Sequence, residues 1–558
     1  MKKFQQTIKA LGFCLILISI FSGCKRQNLT LTTTDDVNIV DYLRRYPDQF
    51  SEFVKILDRT NISPFLNAYG AYTTFAPTND AIKSYLVEIG KTSTDQLDEV
   101  ALKNMCRLHI IQDTISTPSF IDGKLYAPTM YGQFLVTGVN TQGVSIVNKR
   151  ASITQANVLT GNGFIHVIDK VLIPATKTVA QMVEQNARYS IFFQALKATG
   201  LYDSLNIANN PDTTRRWRTL LAESDSVLNL SGISSYAALR ARYCNTGNPL
   251  NSNDSLNLYM SYHVLPGLKY IADIVGQQSH LTMAPLEVVT VSLAGQSVVL
   301  NEAVFNGILE AGIPVNRGIS DNSCNNGVLH DLSGSILLKV RSPFRVDFDL
   351  AAQPEILKLT ALYRKAGKSQ AFTYGQLADV TWQNVNLQAV NYYCDAATGT
   401  NSYWWNDGFG MNLRFGNAAA NNWVEFKTPL LVKGRYNVWI MYRRANMGAY
   451  TQVSFDGTPT GRIVDFTQYF PSSTATDAAL ISQGFKRYAW NNPSSNNISQ
   501  FAGTINVTTT DRHLLRLQAV RDNGSGAAQG VTLDFVQFVP IAIDPTRPWF
   551  AKDGTIVP

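Results

Sequence analysis

The sequence predicts a multidomain chain in which two copies of one domain precede an all-β sandwich. Three observations carry this. At 558 residues the chain is too long for a single hydrophobic core, and about three domains is the expectation. The stretch Asn162–Pro174, NGFIHVIDKVLIP, returns 164 residues later as Asn326-Gly327-Val328-Leu329-His330-Asp331 followed by Ile336-Leu337-Leu338. Beyond Phe372 the texture changes to alternating apolar runs separated by Pro, Asn, Gly and Ser, about eight strands in about 165 residues.

The N-terminus is read first. Lys2, Lys3 and Lys9 precede the apolar run Ala10–Phe21, which ends at Ser22-Gly23-Cys24. A basic segment and a short apolar run describe a secretory signal over 1–23, too short to span a bilayer. Small residues directly before a cysteine resemble the lipobox of bacterial lipoproteins, with Phe21 where leucine is usual. That resemblance implies lipidation at Cys24 and an outer-membrane lipoprotein, held by more than one acyl chain. No other run of 18 or more apolar residues occurs, so membrane attachment is expected through the N-terminal lipid alone. Lys25-Arg26-Gln27-Asn28 lack the acidic cluster that resembles a surface-export signal in Bacteroidetes-type lipoproteins, so surface and periplasmic faces both stay open.

Composition narrows the class further. Hydrophobic content of 45% and charge of 16% describe an ordered globular protein. The 24 Tyr, 27 Phe and 8 Trp suit extracytoplasmic β-rich domains. Formal charge is +7, and three lysines lie in residues 1–23, which leaves +4 for the rest. With no basic run longer than a pair such as Lys25-Arg26 or Arg215-Arg216, nucleic-acid binding is not expected. Of six cysteines, Cys106, Cys244, Cys324 and Cys394 remain once Cys14 and Cys24 are set aside. They carry no CxxC and no neighbouring His pair, so neither metal site nor cofactor is expected. A Cys244–Cys324 disulfide and buried free thiols are both open.

Residues 24–35 form a polar, Thr-rich tether. A helical pattern starts near Asn38, with Val40, Leu43, Phe50, Phe53, Val54 and Leu57 at three- and four-residue spacings. Tyr72–Ile82, YTTFAPTNDAI, is a β-prone run whose Thr78 and Asn79 are N-cap candidates for a helix near Asp80. Leu102, Met105, Leu108 and His109 share one helical face. Taken in order, Thr74–Ile82, Leu108-His109-Ile110 and NGFIHVIDKVLIP resemble the three signatures of the fasciclin-like domain, over about residues 36–176. A divergent second copy spans 177–340: Leu220–Leu228 aligns with Thr74–Ile82 at an offset of 146, with Ala-Glu-Ser in place of Ala-Pro-Thr. Tyr262-His263-Val264 repeats the second signature. The resemblance implies two α+β domains, each a β-sandwich wedge with helices on one side. It also implies that His109, His166, His263 and His330 support the fold and an adhesive surface.

Residues 341–375 read as a linker with a helix over Glu355–Lys365. Within 376–540, Trp423–Lys427, Arg435–Tyr442, Gln452–Phe455, Thr504–Thr508, Leu514–Val520 and Val531–Val539 are expected strands. Tyr436, Val438, Ile440 and Tyr442 share one face. The order of a Trp-Val-Glu-Phe strand, a Gly-Arg-Tyr turn, a Phe-Asp-Gly hairpin and a final Val-Thr-Leu-Asp-Phe-Val strand is similar to jelly-roll carbohydrate-binding modules. Residues 541–558 read as an extension, packed on a neighbour or loose.

No GxSxG elbow, Walker loop or GxGxxG follows a strand, and no enzyme is expected. Glu425 and Asp534 could serve glycoside hydrolysis only if they converged, and Glu425 reads as a solvent-facing strand residue. The sharper candidate is Tyr403-Trp404-Trp405-Asn406-Asp407 with Trp490 and Asn491. Aromatic rings stack on the apolar faces of sugars while Asn and Asp pair with the hydroxyls. The alternative is that these rings plug the ends of the sandwich. The expectation is a lipid-anchored cell-envelope adhesion protein that binds glycan. The other reading is a structural lipoprotein that binds other envelope proteins.

Overall fold

The computed structural model describes residues 37–558 except 68–69, 141, 340, 387–389, 395–408, 416–421, 445–448, 473, 491–496, 522–528 and 552–554, with backbone alone at 409–415 and 529–532. Two compact units meet at Ala175/Thr176. Cys24, and the signal and tether expected over 1–35, lie outside the described residues. Among those described, no helix is long and apolar enough to cross a membrane.

The first unit is built on a parallel pair. Strand Tyr72–Pro77 runs beside Gly163–Ile168 in strict register, Tyr72 opposite Gly163 and Pro77 opposite Ile168. Such a pair demands a long crossover, supplied here by the intervening helices and hairpins. The sheet continues on one side to Ile110–Ile111 and on the other through Ala151–Thr160, Ser145–Val147, Val136–Val139 and Gly123–Lys124. Register shifts in Ala151–Thr160 mark where the sheet curls. Helices Pro47–Arg59, Asn79–Glu88 and Glu99–Leu108 cover one face through Phe50, Phe53, Ile82 and Leu102. Thr78 caps the helix Asn79–Glu88 by accepting from Ala81 N at 3.1 Å, as its sequence position predicts.

The second unit opens with the same frame. Strand Arg218–Glu223 pairs in parallel with Gly327–Leu332, Arg218 opposite Gly327 and Glu223 opposite Leu332. Ser224 caps the next helix, Asp225–Leu230, as Thr78 does in the first copy.

The Asn-Gly dipeptide that opens each repeated motif is a clamp as well as a turn. Asn162 accepts from Ile39 N at 2.9 Å and donates to Leu66 O, tying the first helix to the strand. Asn326 does the same with Val179 N (2.9 Å) and Leu205 O (2.8 Å). The glycines are required by proximity: a Cβ on Gly163 would stand 1.8 Å from Tyr72 O, and one on Gly327 1.8 Å from Arg218 O.

From Val346 onward the chain is almost entirely β. Ser369–Phe372, Val390–Cys394, Phe409–Phe415, Gln529–Pro540, Gly434–Arg443 and Asn497–Val507 are hydrogen-bonded in that order. A single bridge, Gly461 to Gly503, leads on through Thr458–Asp465 to Tyr450–Phe455, Asp511–Arg521, Trp423–Leu431 and Val380–Trp382. The two curled halves enclose one core in which Phe348 meets Phe426 and Phe455 meets Phe538. All six expected strands are present, each one to seven residues longer at an end than its apolar pattern.

Three expectations are corrected. The 341–375 linker is part of this core: Val346–Asp349 pairs with the last strand, and Phe348, Leu350 and Ile356 are buried. Its helix stops at Pro354–Leu357, because the chain turns back to bury Leu362 and to donate Arg364 N to the Tyr392 hydroxyl at 2.7 Å. Strand Gly434–Arg443 is buried on both faces. Tyr436, Val438, Ile440 and Tyr442 do share the inner one, but Trp439 and Met441 form a second small core with Tyr488, Phe535 and Phe550. The terminal extension supplies that cover, since Phe550 N donates to Tyr488 O at 2.6 Å and Trp490 N to Phe550 O at 2.8 Å.

Gly163→Ala should destabilise the first unit by more than about 3 kcal/mol, from the Cβ–carbonyl clash on top of the strain at φ +149°. Gly132→Ala, at φ +91° in open space, should cost about 1–2 kcal/mol. Urea unfolding of the two variants checks this, and equal costs would contradict it.

Candidate functional site

The four signature histidines are buried connectors. His109 Nδ1 donates to Met105 O at 2.8 Å and Nε2 accepts from Leu172 N at 3.0 Å, which requires the neutral ring. Burial drives its pKa down to about 4. His166 Nε2 donates to Ile115 O at 2.9 Å and Nδ1 accepts from Asn157 N at 3.3 Å. His330 repeats that geometry with Lys269 O (2.8 Å) and Asp321 N (3.3 Å).

His263 differs, and the difference begins in the strand beside it. Where the first copy has Pro77, the second has Glu223, fully buried. Its carboxylate stands between His263 and the chain: Oε1 takes His263 Nε2 and Ile336 N, both at 2.8 Å. Oε2 takes the Tyr259 hydroxyl at 2.7 Å and Ser335 Oγ at 2.8 Å. His263 Nδ1 lies 2.8 Å from Tyr259 O, as His109 lies from Met105 O. Four partners satisfy the carboxylate, which is what lets it stay buried.

The expected ligand-binding residues fare unequally. Tyr403, Trp404, Trp405, Asn406, Asp407 and Asn491 lie outside the described residues. Trp490 is described and 38% exposed. Its ring centroid lies 5.1 Å from that of Trp549 at an interplanar angle of 32°, and the Arg547 guanidinium stands 3.7 Å from the Trp549 centroid. The terminal extension thus brings two indoles and a cation together. Lys486 is buried over the Trp439 ring, donating to Gln537 and to Pro545 O at 3.1 Å, and burial lowers the pKa of its ammonium to about 7. Neither Trp549, Arg547 nor Lys486 was singled out in the sequence. Arg547-Pro548-Trp549-Phe550, four bulky residues in an otherwise loose-looking tail, is the signal that marks them.

The carboxylates do not form a pair. Glu425 is not solvent-facing: its side chain is 14% exposed and accepts from Arg516 Nε at 2.9 Å. Asp534 is 1% exposed on a strand of the other half. The four described cysteines are free, so the disulfide alternative is corrected in favour of free thiols. Burial pushes the Cys106 and Cys324 thiols up to about 12, which leaves them unreactive. No group of three or more His, Cys, Asp or Glu that could hold a metal occurs among the described residues.

Two outcomes follow from the histidines. Unfolded His109 titrates near 6.5 and folded His109 near 4, so the unfolded chain binds the extra proton between those values. Its contribution is complete above about pH 6.5 and lost progressively as pH falls toward 4. Urea midpoints of the first unit should follow this slope, and His109→Gln should flatten it. Glu223→Ala should cost the second unit about 3–5 kcal/mol by stranding buried donors, read by the same titration. A cost under about 1 kcal/mol would show the carboxylate to be dispensable.

Comparison with known proteins bears on the first unit above all. The chain aligns with transforming growth factor-beta-induced protein ig-h3 of Sus scrofa at 24% identity over 313 residues, 56% of this chain and 41% of that one. It aligns with periostin of Homo sapiens at 32% over 146 residues, 24% of this chain and 15% of that one. The chain spans less than half the length of these curated relatives. Among solved structures, a FAS1 domain pair from the insect cell adhesion molecule fasciclin I is similar at 19% identity, covering 54% of this chain and 97% of that one with a TM-score of 0.24. The family model described as fasciclin domain matches residues 48–174, and these residues are a fasciclin domain.

Proposed function

We propose that the chain is a lipid-anchored cell-envelope adhesion protein that binds glycan through its C-terminal β-sandwich and catalyses nothing. In this reading Cys24 carries the lipid, and residues 36–176 and 177–340 are two fasciclin-like spacer and adhesion modules. A jelly-roll sandwich over 376–540, extended by the strand Val346–Asp349, presents the recognition surface. The observation that carries the reading is the exposed Trp490 indole, braced by Trp549 and Arg547. An indole face exposed to water gains by meeting the C–H face of a sugar, and a neighbouring guanidinium offers donors to its hydroxyls. Tyr403, Trp404, Trp405, Asn406, Asp407 and Asn491 are proposed to complete that surface.

A glycan array probed with the chain from Cys24 onward tests this. The expected outcome is saccharide binding that Trp490→Ala weakens about tenfold while the thermal melt stays nearly unchanged. A blank array with a co-purifying envelope protein would replace the reading by partner-protein binding. Turnover of a bound saccharide would overturn the absence of catalysis.

A further inference from the structure

The two ends of the β-sandwich treat their cations differently. At the end that meets the second repeat, Arg512 pairs with Asp379 at 2.6 Å and Lys433 pairs with Glu287. Farther along the strand that carries Arg512, Arg516 pairs with Glu425 at 2.9 Å. The opposite end supplies no such partners. There Arg443 and Arg521 close the strands Gly434–Arg443 and Asp511–Arg521, and Arg444 follows directly. None of these three, nor Arg547 of the terminal extension, forms an ion pair among the described residues. Arg443 lies opposite Asn497 and Thr532, and Arg521 opposite Tyr450. Gln500 joins the two halves at this end, donating to the Tyr442 hydroxyl at 2.8 Å and to Asp465 O at 3.0 Å. Lys486 sits on Gln537 and Tyr488 on Phe535, so the chain reaches Trp490 as it runs toward Thr532 and Arg443.

Three of these guanidiniums rest on aromatic rings. Arg444 stands 3.6 Å from the Tyr469 centroid, Arg521 3.8 Å from that of Tyr450, and Arg547 3.7 Å from that of Trp549. A guanidinium stacked in this way is held in orientation yet keeps the N–H groups on its edge for an outside acceptor. Arg444 gives one of them, Nε, to Thr467 O at 3.1 Å. The neighbouring carboxylates do not take the rest. Asp465 and Asp544 each accept instead from the N and Oγ1 of a threonine just downstream, Thr467 and Thr546. Arg443, Arg444, Arg521 and Arg547 against these two acids leave this end positive. Unpaired planar forks suit oxyanions, since each can meet a carboxylate or sulfate through two parallel hydrogen bonds. The indole faces of Trp490 and Trp549 beside them favour a sugar as the carrier of that charge. Nucleic acid also joins flat rings to negative charge, but it is bound along basic stripes, and this chain has no basic run longer than a pair.

We infer that the glycan bound at this end of the β-sandwich is acidic, a polysaccharide whose carboxylate or sulfate groups pair with Arg444, Arg521 and Arg547. The inference rests on the glycan-binding reading above and adds the charge class of the ligand and the residues that select it.

The test measures binding of the chain from Cys24 onward to immobilised polygalacturonate, carrageenan, neutral galactan and single-stranded oligo(dT). Polygalacturonate carries carboxylates and carrageenan sulfates, so preference for one names the group. Binding to at least one of them, weakened by added salt, is expected, with the neutral galactan bound less tightly. Arg521→Gln and Arg444→Lys should each raise the dissociation constant about tenfold while the thermal melt stays unchanged. The second tests the fork itself, since lysine keeps the charge and loses the planar donors. Arg216→Gln, an exposed change in the second repeat, removes the same charge elsewhere and should leave affinity unchanged. If it weakens binding as much as Arg521→Gln does, the assigned contacts are overturned. Oligo(dT) bound as tightly as the acidic polysaccharides would overturn the sugar as carrier. If neutral saccharides bind on the array and neither acidic polymer does, the acidic class falls while the glycan-binding reading stands. If no saccharide binds at all, both fall together.

Discussion

The closest approach in each of the first two domains is made where two parallel strands begin. Gly163 faces Tyr72, and Gly327 faces Arg218, at a distance that leaves no room for a Cβ. The preceding asparagine then joins a helix start to the end of another helix with the two ends of its amide. A parallel pair cannot be closed by a tight turn, so the long crossover must be fixed at its return point. The Asn-Gly dipeptide does this, and the helices, the curled sheet and the positions of the histidines depend on it. That is why the motif repeats while the residues between the copies have diverged.

The divergence itself is informative. A histidine that joins two segments through its own two nitrogens needs only backbone partners, as His109 does. Exchanging Pro77 for Glu223 lengthens the connection by one carboxylate, and the second copy recruits Tyr259 and Ser335 to satisfy it. One copy thus buries a neutral ring and the other an acid–base pair, with the same backbone geometry around both. A polar residue inside a strand is tolerated here because each lone pair has a donor.

The β-sandwich manages a different constraint. Its central strand Gly434–Arg443 carries large apolar residues on both faces, so the sheet needs cover on its outer side as well. The terminal residues provide it, and in doing so place Trp549 under Trp490 and Arg547 beside them. The indole pair and the completion of this outer core are therefore made by the same few residues. The turn around Asp511 meets the second repeat through polar contacts, Ser279 with Asp511 and Arg512 with Gln278.

Much was legible in the sequence because local patterns repeat. The capping Thr78 and the six β-runs of the last domain follow from apolar periodicity and turn chemistry, which act over a few residues. What the sequence could not convey was which residues meet across hundreds of positions. Val346–Asp349 looked like a linker because one short alternating run is indistinguishable from a connector until its partner strand, nearly two hundred residues on, is known. Glu425 looked solvent-facing because alternation says nothing about the arginine on the next strand. Lys486 carries no motif at all. The expectation of a repeated domain followed by a β-rich one rested on short motifs and on strand patterns, each local in the chain. Which side chains meet at the surface was decided by tertiary packing, since only chain closure brings the terminal Trp549 and Arg547 to Trp490.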